Sequence, residues 1–260
     1  MTTKSDFVFA QPRPIPDMPC FEYAREDGQL TRANNEHVCG SVSFGATRGQ
    51  EWQMTTLREQ DKAPLEFWFD FASGYAYFAA LEIEDLAERH GRTVLWRPFT
   101  LGAAFKVTGA QRLSRTPLKR EYARHDWQRL ARWKSVPFNP PADHPKVGLP
   151  AIRAFYYVDR EDARAAARLA KNIIVHYFQD SLDTDNPQAI ATLGLKLGLD
   201  SDRILAGIPD PDVKAIARRH SEEAISRGVF GSPWIFVDGE PFWGNDRLSM
   251  VERWLAEGPW

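Results

Sequence analysis

The sequence predicts an α/β fold: a β-α-β unit, then a long helical block, then an α-β-β-α finish. Three observations carry this reading. LEFWFDF at 65–71 is continuous and aromatic-rich, the pattern of a strand buried on both faces. Residues 115–199 show helical spacing and polar breaks but no good strand. WIFV and EPFW flank Asp238-Gly239, a strong two-residue hairpin signal.

The elements follow in order. Residues 1–62 crowd Pro12, Pro14, Pro16 and Pro19 into one stretch and lack sustained periodicity. Such a segment buries too little apolar surface to offset its ordering entropy, so a flexible N-terminal extension is expected, with a short strand at HVCGSVSF (37–44). Met54 begins a second MTT directly ahead of the first convincing strand. Translation starting there would leave residues 1–53 outside the native chain, a point that intact mass checks. After the strand at 65–71, one helix is expected from Tyr75 to His90, closed by Gly91. TVLWRPF (93–99) is the second strand, parallel to the first through a right-handed crossover. The middle reads as helix at 115–133, a proline-rich connection at 137–150, one or two helices in 152–180 and another at 186–198. Asp210-Pro211 starts a further helix with a capping residue and first-turn proline, ending at Gly228. The last helix carries Leu248, Val251, Trp254 and Leu255 on one face. This order fits a thioredoxin-like fold with an inserted helical domain: residues 63–112 and 208–260 form the thioredoxin-like domain, and 113–207 the insertion.

Composition narrows the function. The chain has 260 residues, 43% hydrophobic and 26% charged, with a net charge of −2. That balance gives no reason to expect nucleic acid or an anionic membrane as partner. No apolar run is long enough to cross a bilayer, and the first twenty residues lack the apolar core of a secretory signal, so a cytoplasmic protein is expected. The six histidines show no metal-ligand spacing. Cys20 and Cys39 are too far apart for a redox CxxC pair. The one junction that invites chemistry is FDFASGYAY (69–77), where an apolar strand gives way to Ser73-Gly74 and a helix. Serine there is a preferred helix cap; it is equally a hydroxyl at a partially positive helix terminus.

GVFGSPWIFVDGEPFWGNDRL (228–248) strongly resembles the 2-hydroxychromene-2-carboxylate isomerase family, relatives of kappa-class glutathione transferases and DsbA-type oxidoreductases. FWFDFASGYAYFA (67–79) and WRPFTLGAAFKVTG (96–109) share the resemblance, with weaker matches at 116–138 and 144–153. The resemblance implies a glutathione-dependent isomerase, or a kappa-like transferase, acting on an aromatic or unsaturated small molecule in aromatic compound catabolism. It implies glutathione as cofactor and Ser73 as the catalytic hydroxyl beside its sulfur. Pro233 takes the place of the family's cis-proline, with the Ser232 backbone facing the tripeptide. Asn245, Asp246 and Arg247 fall where the family holds the γ-glutamyl end, at the start of the last helix. Lys106 and Lys119 are candidate carboxylate contacts, and Phe71, Tyr75, Trp96, Phe99 and Trp243 candidate pocket walls. A homodimer is expected by analogy. Two departures stand out. Gly74 replaces the family's usual proline after the serine, which frees φ and loosens the hydroxyl's placement. Ala110 and Lys146-Val147-Gly148 stand where the family carries asparagines. A thiol-disulfide oxidoreductase needs a cysteine in SGYA, and a ligand-binding protein without chemistry is the remaining alternative.

Overall fold

Residues 23–26, 29–32 and 63–260 are described by the computed structural model. The chain falls into two units, Met1–Met54 and Thr55–Trp260. In the first, β1 (Tyr23–Glu26) and β2 (Gln29–Arg32) pair antiparallel, with Tyr23 opposite Arg32 and Glu26 opposite Gln29. The sequence reading places no strand here, although Asp27-Gly28 between them is a two-residue turn signal. The strand expected at 37–44 lies outside the described residues.

In the second unit, LEFWF forms β3 (Leu65–Phe69) and VLWRP forms β4 (Val94–Pro98), paired in parallel with Phe67 opposite Trp96. β5 (Trp234–Val237) lies antiparallel on the other side of β3, and β6 (Glu240–Trp243) follows it through the Asp238-Gly239 turn. Both turn residues have positive φ, 53° and 92°, as a type I′ hairpin requires. The sheet order is β4-β3-β5-β6. β3 is buried on both faces, as its unbroken apolar run predicts. Leu65, Phe67 and Phe69 enter the main core with Trp96, Ile235 and Val237, while Trp68 faces a smaller cluster with Phe99, Trp234 and Phe236.

The single helix expected at 75–90 is two: α1 (Gly74–Ala80) and α2 (Ile83–Arg89). Glu82, at φ −121°, stands between the two helices and ion-pairs with Lys134. α3 (Leu101–Thr108) follows β4, and Gly109 closes it at φ 71°. The helical block comprises α4 (Lys119–Lys134), α5 (Leu149–Asp159), α6 (Ala163–Gln179), α7 (Pro187–Lys196) and α8 (Ser201–Gly207). α9 (Pro211–Ser226) leads back to the sheet, and α10 (Leu248–Glu257) ends the chain. Asp162, Asn186, Asp200 and Asp210 each cap a helix with the side-chain oxygen, fixing the starts of α6 to α9. α6 sends Leu169, Ile173, Ile174, Tyr177 and Phe178 into the same core that holds β3. Burying each such side chain contributes about 1.5–3 kcal/mol, so helical block and sheet are welded by one apolar interior.

Candidate active site

Asp70, immediately after β3, is 1% exposed and organises the junction. Its Oδ1 accepts from the Ala72 N–H at 2.9 Å. Its Oδ2 accepts from the Leu101 N–H at 3.0 Å and from Arg112 Nη2 at 3.3 Å. Its own N–H donates to Ser232 Oγ at 2.9 Å, tying the turn to the segment before β5. One buried carboxylate thus fixes the starts of α1 and α3 and holds the Arg112 guanidinium. A buried charge is retained at tolerable cost only when paired and hydrogen-bonded in this way.

Ser73 is the N-cap of α1, extended at φ −92° and ψ 112°. Its Oγ accepts from the Ala76 N–H at 3.3 Å and donates to the Ser232 carbonyl at 2.8 Å. The capping role is therefore real, and it leaves the hydroxyl at the mouth of the cleft. The Ser232–Pro233 bond is cis. Gly74 does not loosen this arrangement. A Cβ at that position would stand 2.6 Å from Trp127 Cε2, so the indole fills the space that a larger residue would take. Trp127 is itself held edge-on against Tyr75, at 5.9 Å between centroids, and against His144, at 5.6 Å.

A cleft of about 670 Å³ opens over these residues, in the size range of small-molecule sites. Ala72 to Tyr75 line one side, Phe230 to Ser232 and Trp243 to Arg247 another, and α4, the 110–114 segment, Leu101 and Phe105 of α3, and His144-Pro145 the rest. Of the expected walls, Tyr75 and Trp243 line the cleft. Phe71, Trp96 and Phe99 do not: they are at most 2% exposed and pack within the core. Phe105, Tyr122, Trp127 and Phe230 supply the aromatic surface instead. Gly231 lies close against Trp243, whose Nε1 stands 2.1 Å from where a Cβ would sit.

Asn245, Asp246 and Arg247 form a single 3-10 turn lining the cleft, one turn ahead of α10 rather than as its first residues. Neither that turn nor α10 carries a side-chain cap, so Asn245 does not act as one. Asp246 pairs with Arg247 at 3.1 Å, both well exposed. Lys119 lines the cleft; Lys106 sits on an exposed position of α3 and does not.

Besides those aromatics, Arg112 and His144 line the cleft and escape the sequence reading. Arg112 follows the TG motif and has no helical or strand pattern to mark it. His144 sits in the proline-rich connection, with a cis bond to Pro145. Its Nδ1 lies 2.8 Å from the Tyr177 hydroxyl. Burial, with Arg112 and Arg124 nearby, pushes its pKa down to about 4, while Asp143 opposes them. Burial also pushes the Tyr75 phenol well above its ordinary value, helped by its bond to Asp126 at 3.0 Å.

Comparison with known proteins identifies the family and the fold. The family model described as DSBA-like thioredoxin domain matches residues 64–256. A 2-hydroxychromene-2-carboxylate isomerase of Sphingobium xenophagum is 30% identical over 195 residues, covering 74% of this chain and 98% of the relative. Glutathione S-transferase kappa 1 of Caenorhabditis elegans is 24% identical over 210 residues, covering 74% and 91%. A solved 2-hydroxychromene-2-carboxylate isomerase superposes with a TM-score of 0.67 at 25% identity, covering 74% of this chain and 94% of that one. The chain thus belongs to the DSBA-like thioredoxin family, and within it to the 2-hydroxychromene-2-carboxylate isomerase family.

Proposed function

We propose that this protein is a glutathione-dependent isomerase that acts on an aromatic or unsaturated small molecule by reversible thiol addition. The observation that carries the reading is the Ser73 hydroxyl at the N-terminus of α1, in a cleft with no cysteine among its described lining residues. A chain offering an acidifying site without its own thiol fits a borrowed one. When bound, glutathione supplies the sulfur nucleophile. The hydroxyl proton rests on the Ser232 carbonyl, and releasing that bond lets it donate to a thiolate while the lone pair keeps the Ala76 N–H. That donation, with the helix dipole, favours the ionised form of a thiol.

The residues fit the tripeptide's chemistry. Asp246 offers a carboxylate for the γ-glutamyl amine, and the uncapped N–H groups of the Asn245–Arg247 turn suit its carboxylate. Ser232 lines the cleft, with Pro233 behind it through the cis bond and outside the lining, and Arg247 and Lys119 are flanking cations; Lys106 is too peripheral to be retained. The aromatic lining suits an apolar second substrate. A kappa-like transferase is the second reading, favoured by the kappa-class relatives.

Calorimetric titration with glutathione, followed by thiolate absorbance in wild type and Ser73→Ala, tests the proposal. Binding with a thiolate band that Ser73→Ala loses is expected. Failure to bind at millimolar glutathione overturns it.

A further inference from the structure

His144 is a polar side chain in an otherwise aromatic part of the cleft, and its hydrogen-bonding state follows from its neighbours. The Tyr177 side chain is fully buried, and its hydroxyl has two partners among the described residues. It accepts from the Lys146 N–H at 3.1 Å, which leaves its own proton in need of an acceptor. The only acceptor in reach among the described residues is His144 Nδ1 at 2.8 Å. Nδ1 is therefore the bare nitrogen and Nε2 carries the proton. Nε2 has no protein partner among the described residues. It is also absent from the buried unpartnered atoms, which are Trp127 Nε1, Thr184 Oγ1 and Trp234 Nε1. It is thus a donor open to the cleft that His144 lines. The ring is held rigidly as well, edge-on to Trp127 at 86° and against Tyr177 and Phe178. Arg112, fixed by Asp70, lines the same cleft and adds positive potential close by.

We propose that His144, oriented by Tyr177, is a catalytic residue that donates its Nε2–H to the oxygen on which negative charge develops in the second substrate. This inference rests on the thiol-addition reading above. Thiolate addition at the β-carbon of an enone forms one S–C bond and breaks the C=C π bond, whose pair passes to the carbonyl oxygen. Departure of the thiolate returns the pair, so the cycle needs no oxidant, reductant or net proton. A neutral imidazole suits the task, because it polarises the oxygen without surrendering a proton to it.

The test uses the full chain with three variants: His144→Phe, which removes the donor, His144→Gln, which keeps an N–H donor, and Tyr177→Phe, which frees the tautomer. Imidazole 15N NMR of the wild type is expected to show Nε2 protonated, with that signature mixed in Tyr177→Phe. With glutathione and trans-4-phenyl-3-buten-2-one as probe, His144→Phe is expected to lower kcat by about 10²-fold, with His144→Gln recovering part of it. The same variant's loss on 1-chloro-2,4-dinitrobenzene, which has no carbonyl, is expected to be at least about tenfold smaller. 4-Nitrophenolate, a stable oxyanion, is expected to bind the wild type with an absorbance shift that His144→Phe abolishes. An Nδ1-protonated ring, or an enone rate in His144→Phe within about threefold of wild type, overturns the proposal. If the wild type turns over neither probe, the phenolate decides: His144-dependent binding keeps this subsite and sinks only the thiol-addition reading, and its absence sinks both.

Discussion

Replacing Gly74 by alanine isolates the packing that holds the candidate site. Gly74 lies in the first turn of α1 with an ordinary helical backbone, so alanine alone should stabilise by about 0.4–1 kcal/mol through the unfolded chain. The new Cβ, however, would sit 2.6 Å from Trp127 Cε2 and 2.8 Å from Cδ2 and Nε1. Carbon atoms pack best about 3.5–4.0 Å apart, so the indole has to retreat by roughly 1 Å. It has little room, being wedged among Tyr75, Phe138 and His144. Overpacking of this kind costs about 1–3 kcal/mol, which outweighs the backbone gain and makes Gly74→Ala destabilising by about 1–2 kcal/mol. Trp127→Ala alone costs about 3–5 kcal/mol. In that background the obstruction is gone, and Gly74→Ala should become neutral or stabilising. Urea unfolding followed by far-UV circular dichroism measures all four corners of the cycle. Additive single effects, or a stabilised Gly74→Ala in the presence of Trp127, would refute the packing argument.

Other perturbations report on separate parts of the molecule. His144 titrates near 4 when folded against 6.5 when unfolded, through burial, Arg112 and Arg124, with Asp143 opposing and Tyr177 bonded at Nδ1. A depressed histidine contributes stability that is complete above 6.5 and is lost as pH falls toward 4; from about pH 7 to about pH 5 the loss is about 2 kcal/mol. His144→Phe should remove that slope from urea midpoints. Asp70→Ala leaves Arg112 unpaired and three N–H or guanidinium donors without their acceptor, for a loss of about 3–5 kcal/mol in chemical unfolding; Arg112→Leu should cost less. Gly231→Ala collides with Trp243 at 2.1 Å, but that indole is 54% exposed and can swing outward. Its stability should change by less than about 1 kcal/mol, while glutathione affinity measured by calorimetry falls.

Much of this was legible in sequence because local chemistry and fold agree. β3 announced itself by an unbroken apolar run, β5 and β6 by Asp238-Gly239, and α9 by Asp210-Pro211. What escaped detection depends on tertiary contact. The break between α1 and α2 falls at Glu82, whose ion-pair partner Lys134 lies fifty-two residues away. α3 and α8 are too short for periodicity to separate them from loops. In the site, Ser73, Ser232 and the 245–247 turn were found through motif resemblance, and the cleft gathers them. The partner of Gly74 could not be found that way, since Trp127 reads as one more apolar position on an amphipathic helix. Phe71, Trp96 and Phe99 were misplaced for the converse reason: aromatic residues flanking a motif fill the core unless geometry turns them outward. His144 was hidden among prolines, and nothing short of its pairing with Tyr177 distinguishes it.

The placement of β5 beside β3 also has a consequence on the ribosome. β3 is complete at residue 69, yet the strand that covers its second edge begins only at residue 234, about 165 residues later. At roughly 5–20 residues per second, that interval lasts about 10–30 s. Throughout it the nascent chain carries LEFWF with an unpaired edge, the feature that recruits foreign strands. Ser73 likewise waits for the Ser232 carbonyl, 159 positions away. A ribosomal pause or a premature stop upstream of residue 234 therefore yields an aggregation-prone polypeptide rather than a weakly active enzyme, and holdase chaperones should crosslink to such stalled chains at 65–69.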